Sequence, residues 1–93
     1  MGDWSDRPAD AMFDLHGMTV LEAASRAEQF LRVQARVRPG GVVRLITGRG
    51  RGGGGAPIRT RIRTLLKSHR ENGRLVADYA LEPSEGSFLV RLQ

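Results

Sequence analysis

The stretch Ala11-Met12-Phe13-Asp14-Leu15-His16-Gly17-Met18-Thr19-Val20-Leu21-Glu22 decides the fold. Its first six residues alternate apolar and polar with the period of a strand, which places Phe13 and Leu15 on one face and Asp14 and His16 on the other. Gly17 breaks the pattern. Thr19 with Glu22 three residues on is a capping box, and Met18 stands before the cap. Behind it Val20, Ala23, Ala24, Ala27, Phe30 and Leu31 recur at helical spacing, so a helix is expected over 20–36. Arg32 and Arg36 suit the negative end of that helix, and Pro39-Gly40-Gly41 stops it.

Outward from there, Val42-Val43-Arg44-Leu45-Ile46-Thr47 is β-branched and mostly apolar, as in a strand covered by helices. Strand, helix and strand at this spacing imply a right-handed crossover with the two strands parallel. Gly48 to Pro57 holds six glycines in its first eight positions and reads as a loop. Pro57 fits the first turn of a second helix with the apolar stripe Ile58, Ile62, Leu65 and Leu66, ended by Asn72-Gly73. Two further strands, 75–81 and 88–92, flank a short Glu82–Ser87 connection that suits an antiparallel hairpin. The order is βαβαββ. Two helices cover one face of such a sheet and leave the other open.

The chain has 93 residues, which suits one domain and excludes two. Residues 1–10 lack periodicity and read as a flexible tail, with 11–93 as the domain. There is no cysteine, so disulfides and thiolate chemistry are excluded. Neither a signal peptide nor an apolar run of membrane-spanning length is seen, and a cytoplasmic protein without a membrane partner, monomeric by default, is expected. The net charge is +5, and of fifteen basic residues all but Lys67 are arginine, whose planar fork matches phosphate. The charge is uneven. Residues 1–31 hold six acidic against two basic side chains, net −4, whereas 49–74 hold eight basic against one acidic, net +7.

Three constellations carry possible chemistry. Asp14 and His16 share a face at the C-terminal end of a strand, where parallel α/β sheets bind ligands. A histidine moves protons near neutrality, and a carboxylate orients it or holds a divalent metal; the competing reading is a turn cap and a structural hydrogen bond. Thr47-Gly48-Arg49-Gly50 ends the neighbouring strand, and small residues there let backbone N–H groups approach a phosphate that Arg49 or Arg51 clamps. The competing reading is a linker, and Gly52 to Gly55 read as flexible. The glycine spacing formally matches the dinucleotide fingerprint, but the chain is too short for two mononucleotide halves, and no Gly-Lys-Ser/Thr follows for a Walker loop. Third, Arg59, Arg61, Arg63, Lys67 and Arg70 surround the apolar stripe of the second helix as a basic strip, with Arg59, Arg63 and Arg70 roughly along one side, to be weighed against a solvated face. His69, near the helix end, reads as structural or phosphate-adjacent.

Phe13-Asp14-Leu15-His16-Gly17, Ile46-Thr47-Gly48-Arg49-Gly50 and the final Gly86-Ser87-Phe88-Leu89-Val90-Arg91-Leu92, in this order, resemble the Smr (small MutS-related) domain in its stand-alone form, over about residues 11–93. The resemblance implies an α/β two-layer sandwich with a four-stranded mixed sheet, like the C-terminal domain of bacterial translation initiation factor three. In that fold the first two strands are neighbours and the last lies antiparallel beside the second. It also implies DNA or RNA binding, with several members similar to endonucleases. Many members follow the glycine motif with a histidine-serine or a shorter loop, where this chain has Arg51 to Gly55.

Under that resemblance Asp14, His16 and Arg49 are the catalytic candidates. Thr47, Gly48, Arg49, Gly50, Arg51, Arg59, Arg63, Lys67 and Arg70 are the phosphate-binding ones. Amides of Gly48 and Gly50 with Arg49 would hold the scissile phosphate, and His16 would act as general base or acid. Alternatively Asp14 would help hold Mg²⁺ or Mn²⁺, and with RNA His16 would activate the 2′-hydroxyl without metal. A non-catalytic module docking on the phosphate backbone is the alternative from another class, and a small interaction domain a third. Little base specificity is expected from arginines and backbone amides.

Overall fold

Every element foreseen from the hydrophobic pattern forms, in the order β1 (Ala11–Asp14), α1 (Val20–Val37), β2 (Val42–Ile46), α2 (Gly55–Glu71), β3 (Val76–Leu81) and β4 (Ser87–Leu92). The computed structural model describes residues 4–48, 55–84 and 86–93. The sheet order is β1-β2-β4-β3. β1 pairs parallel with β2, and β4 lies between β2 and β3, antiparallel to both. This is the two-layer α/β sandwich with a four-stranded mixed sheet.

The local chemistry explains the boundaries. The Thr19 hydroxyl accepts the Glu22 N–H at 3.1 Å and starts α1. At the end of α2, Gly73 has φ 65°, its N–H donates to the Arg70 carbonyl, and the Arg74 N–H reaches back to the His69 carbonyl. These two bonds satisfy carbonyls that the helix leaves unpaired, as the sequence foresaw for Asn72-Gly73. β1 stops two residues earlier than the alternation suggests, because the chain turns at His16-Gly17 with the Met18 N–H on the Leu15 carbonyl.

Leu15 from the end of β1, Ala23, Ala27 and Leu31 from α1, and Ile58, Ile62 and Leu66 from α2 form one buried cluster with Val43, Leu45, Phe88 and Val90 of the sheet. α1 contributes mainly small side chains to this cluster, and α2 contributes larger aliphatic ones. Both helices therefore cover one face. On the other face stand Met12, Asp14, Arg44 and Glu82, with the segment before β1 beside them. Within that segment Trp4–Asp6 form a 3₁₀ turn; the Trp4 indole donates to Asp78 Oδ2 at 3.2 Å, and the Arg91 guanidinium lies 5.9 Å from its ring centre. An aromatic ring that meets both a cation and a carboxylate has a defined seat, which the lack of periodicity around Trp4 does not reveal.

Candidate functional site

Leu15 is fully buried, and this anchors the exposed residues on either side of it. Its N–H donates to the Ile46 carbonyl at 2.7 Å, extending the β1–β2 ladder one step past the strand. Asp14 and His16 then project together from the open face. Gly17 follows with φ 83°, a conformation that favours glycine, and beyond its chain neighbours no atom of the described residues lies within 4 Å of where its Cβ would be. The requirement for glycine is thus one of backbone angle rather than space.

Asp14 Oδ1 accepts both the His16 N–H at 3.0 Å and the His16 ring at Nδ1, 2.6 Å away. The ring bond holds the Asp14 carboxyl below its ordinary 3.8, ahead of the opposing effect of burial. Asp14 is therefore ionised at neutral pH and only accepts, so the proton of this bond sits on Nδ1. Nε2 is left as the outward nitrogen. The side chains are 70% and 48% exposed for His16 and Asp14, which leaves that nitrogen open to a large substrate. The pair has the orientation of a base held in one tautomer by a carboxylate.

The end of β2 lies alongside. Thr47 is fully buried, and its N–H and that of Gly48 both donate to the Gly86 carbonyl, at 2.9 and 3.0 Å. The Gly48 amide, expected from sequence as a phosphate donor, is already engaged, and Thr47 builds the turn rather than facing solvent. Gly48 has φ 86°, a conformation that favours glycine. Arg49, Gly50 and Arg51 lie outside the described residues.

Gly86 and the residues behind it are the part of the site that sequence reasoning missed. The Arg44 guanidinium grips Glu82 with two bonds, Nε to Oε1 at 2.7 Å and Nη2 to Oε2 at 3.2 Å. The Ser87 hydroxyl donates to the same Glu82 Oε1, and the Glu82 N–H donates to the Ser87 carbonyl. Arg44 holds the Glu82 carboxyl below its ordinary 4.5. The network fixes the turn that presents the Gly86 carbonyl to Thr47 and Gly48. The Gly86-Ser87 pair at the head of the last strand was its only sequence signal.

The basic strip divides. Arg63 and Lys67 are exposed, and Arg59 is half-buried. Arg70 faces β3, where Nη1 donates to Asp78 Oδ1 at 3.2 Å and the guanidinium lies 4.8 Å from the Tyr79 ring centre. Burial pushes the Asp78 carboxyl up, but bonds from the Tyr79 N–H, Arg70 and Trp4 outweigh it and hold it below 3.8. Arg70 thus ties α2 to the sheet edge. His69 Nε2 is 3.4 Å from Glu28 Oε1, a structural contact between the helices.

For Mg²⁺ or Mn²⁺ the donors are sparse. Among the described residues no three His, Asp or Glu side chains gather, and Asp14 Oδ1 already accepts two bonds. A single carboxylate beside the His16 imidazole is not a dedicated metal site. No helix among the described residues is long and apolar enough to cross a membrane.

The sequence matches the Smr domain family over residues 13–93. Among solved structures the chain is similar to the crystal structure of the Smr domain of Thermus thermophilus MutS2, with a TM-score of 0.73 and 28% identity, covering 89% of this chain and 98% of that one. No curated protein matches the chain.

Proposed function

The chain belongs to the Smr domain family, and from that premise we propose that it binds nucleic acid through the phosphodiester backbone and cuts it as an endonuclease, with His16 moving the proton. The observation that carries this reading is the exposed Asp14–His16 pair, 2.6 Å apart, at the C-terminal edge of the parallel strands. Structural histidines are ordinarily packed, whereas this one has its ring held by a carboxylate and its second nitrogen in solvent.

In the proposed reaction His16 Nε2 accepts the proton of the attacking hydroxyl, from water or from the 2′-hydroxyl of RNA, as that oxygen bonds to phosphorus. The opposite P–O bond breaks, and the departing oxygen takes a proton from the imidazolium or from solvent. Asp14 holds the tautomer and offsets the charge that forms on the ring. Arg49 and Arg51, next along the chain, supply cations for the phosphate, and Arg63 and Lys67 extend the positive surface.

The test incubates supercoiled plasmid and structured RNA with wild type, Asp14→Ala and Arg49→Ala, with and without EDTA. Wild type is expected to cut at least one of the two, with or without EDTA, and both variants to cut less. Binding that persists in all three proteins with no cleavage in any buffer establishes a docking module instead. Binding that barely changes between about 50 and 200 mM salt removes phosphate contact as the main term, since several contacts cost orders of magnitude over that range.

A further inference from the structure

On the solvent side of the helical layer a groove runs between α1 and α2. Two hollows of about 490 and 390 Å³ share Glu28, Arg32, Arg61 and Leu65 and so form one continuous depression. Its charge is strongly one-sided. Arg32, Arg61 and Arg74 line it, and the single carboxylate is Glu28, which is paired with Arg32 at 2.8 Å and contacts His69 at 3.4 Å. Arg61 and Arg74 make no ion pair among the described residues, so their charge is not cancelled within the fold.

The α2 wall is regular. Arg61, Thr64, Ser68 and Asn72 recur at three or four residues and present a guanidinium, two hydroxyls and an amide in a row. From Arg61 to Asn72, the first residue past the end of α2, eleven steps of about 1.5 Å span about 16 Å, roughly five steps of a stacked nucleic-acid strand. A row of donors of that length, ending in free arginines, matches a chain of phosphates better than a single small anion. The groove lies in the helical layer, and Asp14 and His16 lie on the open face of the sheet. The groove lining reaches Leu21 in the first turn of α1, the helix that follows the Gly17 turn, so a strand leaving the pair passes the start of α1 to enter it.

We propose that this inter-helical groove is a second backbone-binding surface, in which Arg61 and Arg74, with Arg32 at the α1 wall, hold the phosphates of the nucleic-acid strand flanking the segment at Asp14 and His16. This rests on the nucleic-acid reading above but uses different residues. Of the basic residues expected on α2 only Arg61 lines the groove; Arg59, Arg63 and Lys67 lie outside it, and Arg70 is committed to β3. The groove takes cations from both helices and from the turn after α2, so it exists only once α1 and α2 lie side by side.

The test measures affinity for a fluorescent single-stranded oligonucleotide of about fifteen nucleotides by anisotropy at several salt concentrations. The proteins are wild type, Arg61→Ser/Arg74→Ser and the charge-matched control Arg26→Ser/Arg36→Ser, which changes exposed positions of α1 outside the groove. The groove variant is expected to lose at least about tenfold in affinity near 100 mM salt and to flatten the salt slope by about 1.4, two phosphate contacts' worth. The control is expected to lose less than about threefold. Equal losses in the two double variants, or none in the groove variant, overturn the groove while leaving the candidate active site standing. Failure of wild type to bind overturns the nucleic-acid reading and the groove with it. Thr64→Glu, which sets a carboxylate in the groove at an exposed helical position, is a second variant expected to weaken binding, and unchanged affinity there also overturns the proposal.

Discussion

Glu82→Gln tests whether the Arg44–Glu82–Ser87 network holds the turn beneath the candidate site. Glutamine keeps the size and one acceptor of the carboxylate but loses its charge. The bond pair to Arg44 is charge-assisted, and such bonds contribute about 1.5–3 kcal/mol each when well buried. The partners are 31% and 20% exposed, so solvent screening reduces the expected loss to about 1 kcal/mol. In a domain of this size that lowers Tm by about 4–8 °C. The sign with pH follows from the carboxyl's direction. Folding holds the Glu82 carboxyl below its ordinary 4.5, so its stabilisation is fully present above that pH and is lost as pH falls through the lower folded value. Thermal melts followed by circular dichroism should therefore separate wild type from Glu82→Gln at pH 7 and bring them together in acid. Amide exchange adds a local readout: if the turn opens about 1 kcal/mol more easily, the Thr47 and Gly48 amides exchange about fivefold faster. A Tm difference of the same size at pH 7 and in acid, or unchanged exchange at both amides, refutes the reasoning.

Leu31→Ala removes a fully buried side chain from the face α1 turns to the core and should cost about 2–5 kcal/mol, read from the denaturation midpoint; a loss below about 1 kcal/mol would mean α1 is not packed as described. Trp4→Ala removes the bond to Asp78 and the ring over Arg91, and should cost about 1 kcal/mol with a Tm drop of several degrees; an unchanged Tm would show that the 3₁₀ turn contributes nothing to the fold. Gly17→Ala should cost about 1–2 kcal/mol through its φ of 83° alone, and Gly17→Asn less, since asparagine tolerates that region; equal stability of alanine and glycine here would contradict the turn geometry.

Much of the fold is local in origin and was readable for that reason. Thr19 and Glu22 mark a helix start, Pro39-Gly40 a stop, and the β-branched run from Val42 a buried strand, each from its neighbours alone. The place of β4 between β2 and β3 has no local signature, because Phe88 to Leu92 would suit an edge position as well. It was legible only through the likeness to a known family. The Asp14–His16 pairing follows from the two-residue period, and the structure adds the shared Oδ1 that fixes the tautomer. What sequence could not show was long-range. The Gly48 amide looks free beside its glycines and is engaged by Gly86, 38 positions away along the chain. Arg70 looks like one cation among several until Asp78 and Tyr79 meet it, while Arg32, Arg61 and Arg74 look unrelated until α1 and α2 are laid together.

The central claim, that His16 transfers the proton in phosphodiester cleavage, is tested most directly by the rate at which purified wild type and His16→Ala cut the same nucleic-acid substrate. His16 is 70% exposed and outside the core, so the variant is expected to fold with an unchanged Tm. Loss of a general acid–base residue should then slow cleavage by about 10²–10⁴-fold while binding stays within about twofold. Equal cleavage rates for wild type and His16→Ala would contradict the account.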